Sequence, residues 1–379
     1  MVKIGILTYH NNKNRGAILQ AYSLWKSLKK KIKNSKVEII DYRTRQKEIK
    51  RLYSLNPKVL IRNLLDFNTC ANFLEDKDAL SSYWIITDNH KKAVELLKKK
   101  NYDVLVVGSD EVWSYIKNES KRPFPNAYFL DPSINALKVS YGASANKMKL
   151  ESLSKTELKI YKKYISSFDK ISVRDEHTEK LLEELGISEI QRVPDPTILI
   201  DFPQKDLKEI LLSNGVSLDR PILAINQLNK DIGKPIVSHY KKKGYQIVAP
   251  NKSSLADVDL FRKVNPLEYY SLHKYFDFVI SGSLHTSIFS IKNNTPFATL
   301  DFSSKDLIDK KESLLEEFSL SDRYIKVVNQ NTENILNKIE KGEKELDKKH
   351  VQKKINSMKQ KGYSYIQELE EMLNEKDVR

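Results

Sequence analysis

The chain has 379 residues with 40% hydrophobic side chains and a formal net charge of +15. This length suffices for about two domains of ordinary size. The single cysteine, Cys70, excludes an internal disulfide and a cysteine-rich zinc site. The sequence shows no signal segment and no apolar run of the roughly 20 residues that a membrane span needs, so we expect a cytoplasmic protein.

The excess of basic residues bears on the partners of the protein. Lysine-rich clusters fall at predicted helix ends, where cations complement the helix dipole. A basic surface also attracts anionic substrates, and it leaves open a peripheral contact with the inner face of an anionic membrane. We expect no nucleic acid partner, because the sequence has no zinc finger, no arginine-rich segment and no basic strand interleaved with aromatic residues.

The first part of the chain alternates strand and helix patterns. A strand over 3–9 leads through a polar loop into an amphipathic helix that ends near Lys31, and a second strand follows over 37–42. This β-loop-α-β opening is typical of a right-handed parallel unit. The stretch from about 44 to 90 is interpreted as a helical and loop-rich insertion. Beyond it, the patterns predict strands at 102–107, 138–143 and 170–173 and helices at 91–100, 154–166 and 178–185.

A second series of the same kind starts after a crossing segment with two prolines, 192–200. The polar C-terminal stretch has helical spacing and predicts one more helix. Together the patterns predict an α/β protein with two doubly wound Rossmann-like domains facing a cleft, 1–195 and 196–343, and a C-terminal helix over 344–379 that packs back across the domains. The strands predicted in the second domain are 222–226, 245–249, 278–280 and 296–301, and the helices are 230–243, 267–274, 284–292, 307–318 and 332–341.

One turn of the second domain has the pattern of a ligand site. An apolar run over 278–280 is typical of a buried parallel strand, and it is followed by Ser281, Gly282 and Ser283. Such small residues allow a ligand to approach the backbone closely. His285 then falls in the first turn of an apolar helix, where an anion meets free N–H groups and the positive end of the dipole. A buried structural histidine in an ordinary turn is the alternative.

The other predicted strand ends supply further candidates, because ligands of open parallel sheets bind beyond the carboxyl ends of the strands. The set contains cations, hydroxyls and small residues, which suits an anionic ligand held between the domains. The candidates are Asn12, Asn14, Arg15, Gly16, Ser109, Asp110, Trp113, Ser144 and Arg174 in the first domain, and Lys305 in the second.

Each candidate also has a structural interpretation. For Arg174 it is a strand-end cap or an ion pair with Asp175 or Glu176, for Trp113 a core or cleft-wall position, and for Asp110 a turn or helix cap. Other chemistries fit less well, since the sequence contains no GxGxxG fingerprint, no phosphate-binding GxxxxGK[ST] loop, no well-placed pair of metal-binding aspartates and no GxSxG elbow.

Six stretches together resemble the polysaccharide pyruvyl transferase family. They occur in the family's order and span roughly residues 3 to 323. Any one of them is a weak signal, whereas six in order are fairly specific. The stretches are GILTYHNNKNRGAILQAYSL, DVLVVGSDEVW, KVSYGAS, ISVRDEHTEKLLEELGI with VPDPTILI, NPLEYYSLHKYFDFVISGSLHTSIFSI, and KESLLEEFSLSDR.

The resemblance implies a fold like that of two-domain GT-B glycosyltransferases and an enzyme that uses phosphoenolpyruvate as co-substrate, without a further cofactor or metal. The implied reaction transfers a pyruvyl group to two hydroxyls of a cell-surface polysaccharide or its lipid-linked precursor, forming a ketal. By match, His285 is the general acid and base or a phosphate contact. The implied donor-binding residues are Arg174, Ser281, Gly282, Ser283 and Lys305, and the implied acceptor or cleft residues are Asn12, Asn14, Arg15, Gly16, Ser109, Asp110, Trp113 and Ser144.

Two departures from the family pattern leave the donor open. Ser283 stands where many members have arginine, and Thr286 stands where glycine is usual. Both positions belong to the implied donor pocket. Two alternatives therefore remain: a glycosyltransferase of the same architecture that uses a nucleotide sugar, and a non-catalytic glycan-binding protein.

Overall fold

A computed structural model describes residues 1–11, 13–45, 48–49, 72–116, 123–303 and 309–377 of the chain. The chain divides into two compact units, Met1–Ile200 together with Met358–Arg379, and Asp201–Ser357. Each unit has its own parallel sheet and its own buried apolar cluster.

The sheet of the first unit has the strand order β3-β2-β1-β4-β5, and every neighbouring pair is parallel. Isolated bridges from Val139 to Lys170 and from Ala143 to Val173 connect its β5 edge to β6, which pairs with β7. The strands are β1 Val2–Leu7, β2 Ser35–Arg43, β3 Leu80–Ile86, β4 Val104–Val107, β5 Leu137–Ser140, β6 Ile171–Val173 and β7 Ile190–Arg192.

The helices of the first unit follow recognisable sequence signals. Ser154 and Glu157 form the capping box that the sequence predicts, so the helix begins where expected. Gly186, with a φ of 74°, follows the end of another helix in the left-handed conformation that glycine favours. The helices are α1 Arg15–Lys31, α2 His90–Lys99, α3 Lys155–Ile165, α4 Glu176–Glu184 and the short α5 Pro196–Leu199.

The second unit repeats the same topology with the order β10-β9-β8-β11-β12-β13, again with parallel pairs throughout. In both units the central pair marks the point where the strand order reverses, which is where doubly wound folds bind ligands. The strands are β8 Ile222–Asn226, β9 Gln246–Ala249, β10 Val258–Asp259, β11 Phe278–Ser281, β12 Phe297–Asp301 and β13 Tyr324–Lys326. The helices are α6 Lys208–Ser213, α7 Lys230–Lys242, α8 Pro266–Leu272, α9 Leu284–Asn293, α10 Lys310–Glu317 and α11 Thr332–Lys341.

The predicted C-terminal helix is confirmed as α12, Lys348–Asp377, and the part from Met358 onward belongs to the first unit. There the hydroxyl of Tyr365 donates to the Ser140 carbonyl at 2.7 Å. At Gly362 the helix comes so close that an added Cβ would lie 2.6 Å from the Tyr141 hydroxyl oxygen. Glycine at this position therefore permits the close packing of α12 on the first unit.

Several short strands were missed by the sequence patterns. β3 lies inside the stretch from 44 to 90 that was interpreted as helical and loop-rich, and this interpretation is wrong for Leu80–Ile86. The strand is at the edge of the sheet, and Trp84 is 69% exposed, so its face is not uniformly apolar. β7, β10 and β13 have only two or three residues, too few to show a period.

Candidate active site at the strand ends

The strand order of the second sheet reverses between β8 and β11, and the predicted ligand turn lies at this point. Ser281, the last residue of β11, stands beside Asn226, the last residue of β8. The amide of Gly282 donates to the Asn226 carbonyl at 3.0 Å. An added Cβ on Gly282 would lie 3.0 Å from the Gln227 carbonyl oxygen and 3.1 Å from the Phe302 ring. The turn is therefore narrow, and glycine fits there best.

His285 lies in the first turn of α9, as the sequence predicts. It is buried, with 7% of its surface exposed, and its ring centroid lies 6.2 Å from that of Phe289. Ser283, the residue directly before α9, makes no side-chain cap. Its backbone amide donates to the Ser281 hydroxyl at 2.9 Å. The first turn contains no acidic residue. The positive end of the helix dipole is thus not offset by a carboxylate in the first turn, which favours an anion.

Thr286 holds the end of β8 through a buried polar network. Its hydroxyl accepts from the Asn226 side-chain amide at 2.8 Å and lies 2.7 Å from the Tyr269 hydroxyl. The side-chain oxygen Oδ1 of Asn226 in turn accepts from the side-chain amide of Asn251 at 2.9 Å. This departure from the family pattern therefore has a structural role, since a glycine could not supply the hydroxyl.

Lys311, which the sequence patterns did not indicate, is a buried cation beside the same turn. Its ammonium donates to the carbonyls of Gly282 at 3.4 Å and Leu300 at 3.3 Å, and it lies 3.5 Å from a carboxylate oxygen of Asp301. No local signal in its polar helix pointed to this position. Lys305, the lysine that the sequence analysis did select, lies outside the described residues.

Asp301, at the end of β12, is the acidic partner of this lysine. Burial raises the pKa of Asp301, but Lys311 and the hydroxyls of Ser303 and Tyr324 outweigh it, so the pKa lies below its ordinary value. Both hydroxyls donate to the same carboxylate oxygen at 2.9 Å. Asp301 is therefore ionised and fully engaged, which makes it a fixed counter-charge to Lys311.

In the first unit the predicted donor residue Arg174 follows β6 and is buried. Its side chain is 6% exposed, and its Nη1 donates to a carboxylate oxygen of Asp195 at 3.1 Å and to the Ser109 carbonyl at 3.2 Å. Within the described residues, its Nε and Nη2 are buried without a hydrogen-bond partner. Burial opposes the charge of Arg174, but Asp195 and further acidic residues raise its pKa. The site thus holds a charged fork with donors to spare.

The ion pair of Arg174 differs from both partners considered from sequence. Asp175 instead caps α4, because its carboxylate accepts from the amide of Thr178 at 2.9 Å and from its hydroxyl at 2.7 Å. Glu176 pairs with Lys180 at 2.6 Å. The local-pair interpretation of Arg174 is wrong, since its partner is 21 positions farther along the chain.

Ser109 lies next to Arg174 because two glycines bring the ends of β4 and β5 close together. An added Cβ on Gly108, which has a φ of 122°, would lie 2.3 Å from the Tyr141 carbonyl oxygen. One on Gly142 would lie 2.9 Å from the Ser109 hydroxyl oxygen and 3.8 Å from Cβ of Arg174. The Ser109 hydroxyl is buried and has no partner in the part of the chain that the structure describes. The predicted residues Ser109 and Arg174 are therefore neighbours.

The predicted residues of the α1 start and its loop have local roles. Asn14 caps α1, because its side-chain oxygen accepts from the amides of Gly16 at 3.0 Å and Ala17 at 3.4 Å. Arg15, in the same turn, is only 4% exposed. Asn12 lies outside the described residues.

The remaining predicted residues shape the loop after β4. Asp110 accepts from the amide of Glu111 at 2.8 Å, and its carbonyl accepts from the Ser144 amide at 3.1 Å. Trp113 is completely buried and packs its ring edge-on against Phe168. Trp113 therefore occupies a core position, and its part as an acceptor or cleft residue stays a prediction.

Across the described ranges, no group of three or more His, Cys, Asp and Glu side chains is placed to hold a metal ion. None of the helices that the structure describes combines the length and apolar character of a membrane span.

Two Rossmann-like units and a C-terminal helix define a fold of the GT-B class, and comparison with solved structures confirms this prediction. The UDP-GlcNAc 2-epimerase from Methanocaldococcus jannaschii is 14% identical, with a TM-score of 0.54 over 90% of this chain and 92% of that chain. The enzyme from Neisseria meningitidis bound to UDP-GlcNAc is 12% identical, with a TM-score of 0.53 over the full length of both chains. At such identity the likeness concerns the fold alone.

The family is given by the sequence itself. Residues 14–304 match the model of the polysaccharide pyruvyl transferase family, and no curated protein matches the chain. The matched region includes the strand ends that carry Ser109, Arg174 and His285. The chain belongs to the polysaccharide pyruvyl transferase family, which confirms the resemblance seen in the six stretches.

Proposed function

We propose that the protein transfers a pyruvyl group from phosphoenolpyruvate to a sugar of a surface polysaccharide or of its lipid-linked precursor. The observation that carries this proposal, beyond the family, is the buried guanidinium of Arg174, whose Nε and Nη2 have no hydrogen-bond partner among the described residues. Phosphoenolpyruvate carries a carboxylate and a phosphate, and both match the planar fork of arginine. A lysine would supply the charge but not two parallel donors.

The proposed chemistry needs a proton donor and charge stabilisation. A proton adds to the methylene carbon of phosphoenolpyruvate, C2 becomes electrophilic, and the first sugar hydroxyl bonds to C2 and loses its proton. The second hydroxyl then bonds to C2 and loses its proton as the C2–O bond to phosphate breaks, and the leaving phosphate takes the electron pair of that bond and a proton. The products are the cyclic ketal and inorganic phosphate, and the sequence of steps itself requires no cofactor besides the co-substrate.

His285 is proposed as the group that gives and takes these protons. Imidazole exchanges protons near neutral pH, and this ring lies in the first turn of α9 beside Ser281, Gly282 and Ser283. The helix start and the backbone of the small-residue turn are proposed to stabilise phosphate as it leaves. Ser283 adds no charge there.

The acceptor residues and the location of the reaction remain proposals as well. Ser109, Asp110 and Ser144 lie on strand-end loops of the first unit, and Arg15 lies at the start of α1. We propose that exposed atoms of these segments contact the acceptor saccharide. We further propose that the protein works in the cytoplasm and meets lipid-linked acceptors at an anionic membrane surface through its net positive charge.

The test measures turnover and binding together. Purified protein is incubated with phosphoenolpyruvate and a panel of glycans and lipid-linked sugars, and ketal product is detected by mass spectrometry alongside released phosphate. We expect one phosphate for each ketal. In parallel, thermal shifts are recorded with phosphoenolpyruvate and with nucleotide sugars, since a ligand that binds the native state raises Tm. A shift with a nucleotide sugar and none with phosphoenolpyruvate would overturn the proposal and favour a glycosyltransferase.

A further inference from the structure

We propose that Asp195 and Gln20 are positioning residues that hold Arg174 by a single nitrogen, so that its Nε and Nη2 stay available to a bound anion. This inference rests on the proposed function for the identity of the anion, which is phosphoenolpyruvate. The hold itself is argued from contacts within the first unit alone.

The ion pair joins the guanidinium of Arg174 to the carboxylate of Asp195. Arginine and carboxylate usually pair through two parallel hydrogen bonds, which use two nitrogens of the guanidinium. Here the contact is single, from Nη1 to Oδ2 of Asp195 at 3.1 Å. Nη1 also donates to the Ser109 carbonyl at 3.2 Å. Among the residues that the structure describes, both partners of Arg174 thus lie on the same nitrogen, and Nε and Nη2 are left without one.

Asp195 accepts from only one nitrogen of Arg174, because its second carboxylate oxygen is already engaged. Its other oxygen, Oδ1, accepts from the amide of Thr197 at 3.0 Å and from the Thr197 hydroxyl at 2.7 Å, capping α5. Pro196 occupies the first position of that helix, which fixes the start of the turn. Because Oδ1 is committed to the cap, only Oδ2 is directed to Arg174.

Gln20, on α1, approaches the same oxygen of Asp195, Oδ2. Its Nε2 donates to Oδ2 of Asp195 at 3.0 Å, and the residue is 1% exposed. Oδ2 is therefore fixed by donors from two elements, and the carboxylate has little freedom to rotate toward Nε of Arg174. In the described part of the chain, the buried hydroxyl of Ser109 beside Arg174 likewise has no partner.

Leaving buried donors unpartnered costs stability, because each group has lost its hydrogen bonds to water. A fold that retains two such donors on one buried cation, with the competing carboxylate held away, has the arrangement of a preorganised anion site. The anion would complete the fork without first breaking an internal pair.

The test uses Asp195→Asn with Asp175→Asn as its matched control. Asparagine is a good helix cap, so the cap on α5 is retained, but an amide facing Nη1 cannot accept its hydrogen bond. Asp175 caps α4 in the same way, through Thr178, and makes no hydrogen bond to Arg174. The control thus removes a nearby negative charge and keeps the hold intact. Gln20→Leu is the second variant, in case Asp195→Asn folds poorly.

Dissociation constants for phosphoenolpyruvate and for inorganic phosphate are measured by calorimetry, and Tm is recorded for each variant. We expect Asp195→Asn to weaken phosphoenolpyruvate binding by about 10-fold or more, with a rise in KM larger than the fall in kcat. Gln20→Leu should weaken it less, and Asp175→Asn should change it by less than about 3-fold, because the contact between Asp195 and Arg174 is kept. Asp195→Asn should have the lower Tm of the two asparagine variants, since it leaves the buried guanidinium of Arg174 without a carboxylate partner.

The possible outcomes separate this inference from the proposed function. Equal effects of Asp195→Asn and Asp175→Asn on phosphoenolpyruvate binding overturn the inference and leave the function standing. If the wild type binds phosphate, Asp195→Asn weakens it and phosphoenolpyruvate does not bind, the hold is supported and the proposed donor is wrong. If the wild type binds neither anion, both proposals fail.

Discussion

The polar groups at the carboxyl ends of the two sheets differ in how far the protein itself satisfies them. In the second unit, Asn226, Thr286 and Tyr269 hydrogen-bond to one another, and Lys311 donates to carbonyls and to Asp301. In the first unit, Arg174 is equally buried, yet two of its nitrogens have no partner in the described chain.

The difference separates two tasks that a ligand site requires. A network whose members satisfy one another is rigid, and it holds the turn before His285 in one geometry. A buried cation with spare donors can instead gain hydrogen bonds from a ligand. We therefore expect changes at the first region to act mainly on anion affinity, and changes at the second to act on proton transfer and on stability.

The largest expected effect on donor affinity is that of Arg174→Lys. Lysine keeps the positive charge but loses the fork, so the Kd for phosphoenolpyruvate should rise by about 100-fold or more. Calorimetric titration measures this change. Arg192→Lys is the control, because that guanidinium lies partly exposed on β7 and pairs with Glu179 at 3.2 Å. Equal affinities of Arg174→Lys and Arg192→Lys for phosphoenolpyruvate would show that the guanidinium of Arg174 does not bind the donor.

At the second region, His285→Gln should lower kcat rather than donor affinity. Loss of a general acid and base costs typically about 100-fold to 10,000-fold in rate. Steady-state phosphate release gives kcat and KM separately. His239→Gln is the control, since His239 is a more exposed histidine that contacts Glu340. A fall in kcat no larger than that of the control would show that His285 has no role in the chemistry.

Lys311→Met tests whether the second region is a stabilising frame. The change leaves the buried carboxylate of Asp301 without its cation, so we expect a loss of about 3 kcal/mol in the free energy of unfolding. Urea titration at neutral pH measures it. Lys338→Met, on an exposed position of α11, should be close to neutral. If Lys311→Met is equally harmless, the contacts of Lys311 do not hold the turn.

The smallest expected effect is a pH dependence from the same unit. Burial lowers the pKa of His273 from 6.5 to about 4, although carbonyls of Tyr269 and Tyr270 partly oppose it. A folded-state pKa below the unfolded value means that the unfolded chain binds the proton, so stability falls as pH drops from 6.5 toward 4. Between pH 7 and pH 5 this amounts to about 2 kcal/mol.

His273→Phe removes this titration while keeping an aromatic ring among Tyr269, Phe276 and Phe289. Urea unfolding of the variant should therefore show a smaller loss between pH 7 and pH 5 than the wild type shows. Other acidic and basic groups contribute equally to both proteins. Parallel pH profiles for the two proteins would rule out His273 as the source.

The sequence predicted most of the fold because buried parallel strands and capped helices leave local signals. The strand β8 and the helix α11 have the predicted bounds, and the Ser154 cap was predicted from two residues. Edge strands such as β3 were missed because one face meets solvent. The glycine and serine turn before His285 was likewise predictable, since both its strand and its helix are continuous with it.

Partners of the site residues were harder to predict, because contacts between distant positions leave no period. Lys311 reaches Gly282 across 29 positions, and the polar residues beside it in the sequence give no sign of this contact. The partner of Arg174 is Asp195, whereas sequence proximity favoured Asp175 and Glu176. The sequence did contain one signal for Asp195, because an aspartate directly before a proline is typical of a helix start. This pattern predicts a structural role for Asp195.

The most direct test of the central claim is a crystal structure of the protein with phosphoenolpyruvate. We predict that carboxylate or phosphate oxygens of the ligand lie within hydrogen-bond distance of Nε and Nη2 of Arg174, with Nη1 still bound to Asp195. A complex in which phosphoenolpyruvate binds elsewhere, and Arg174 keeps both nitrogens unpartnered, would contradict the account.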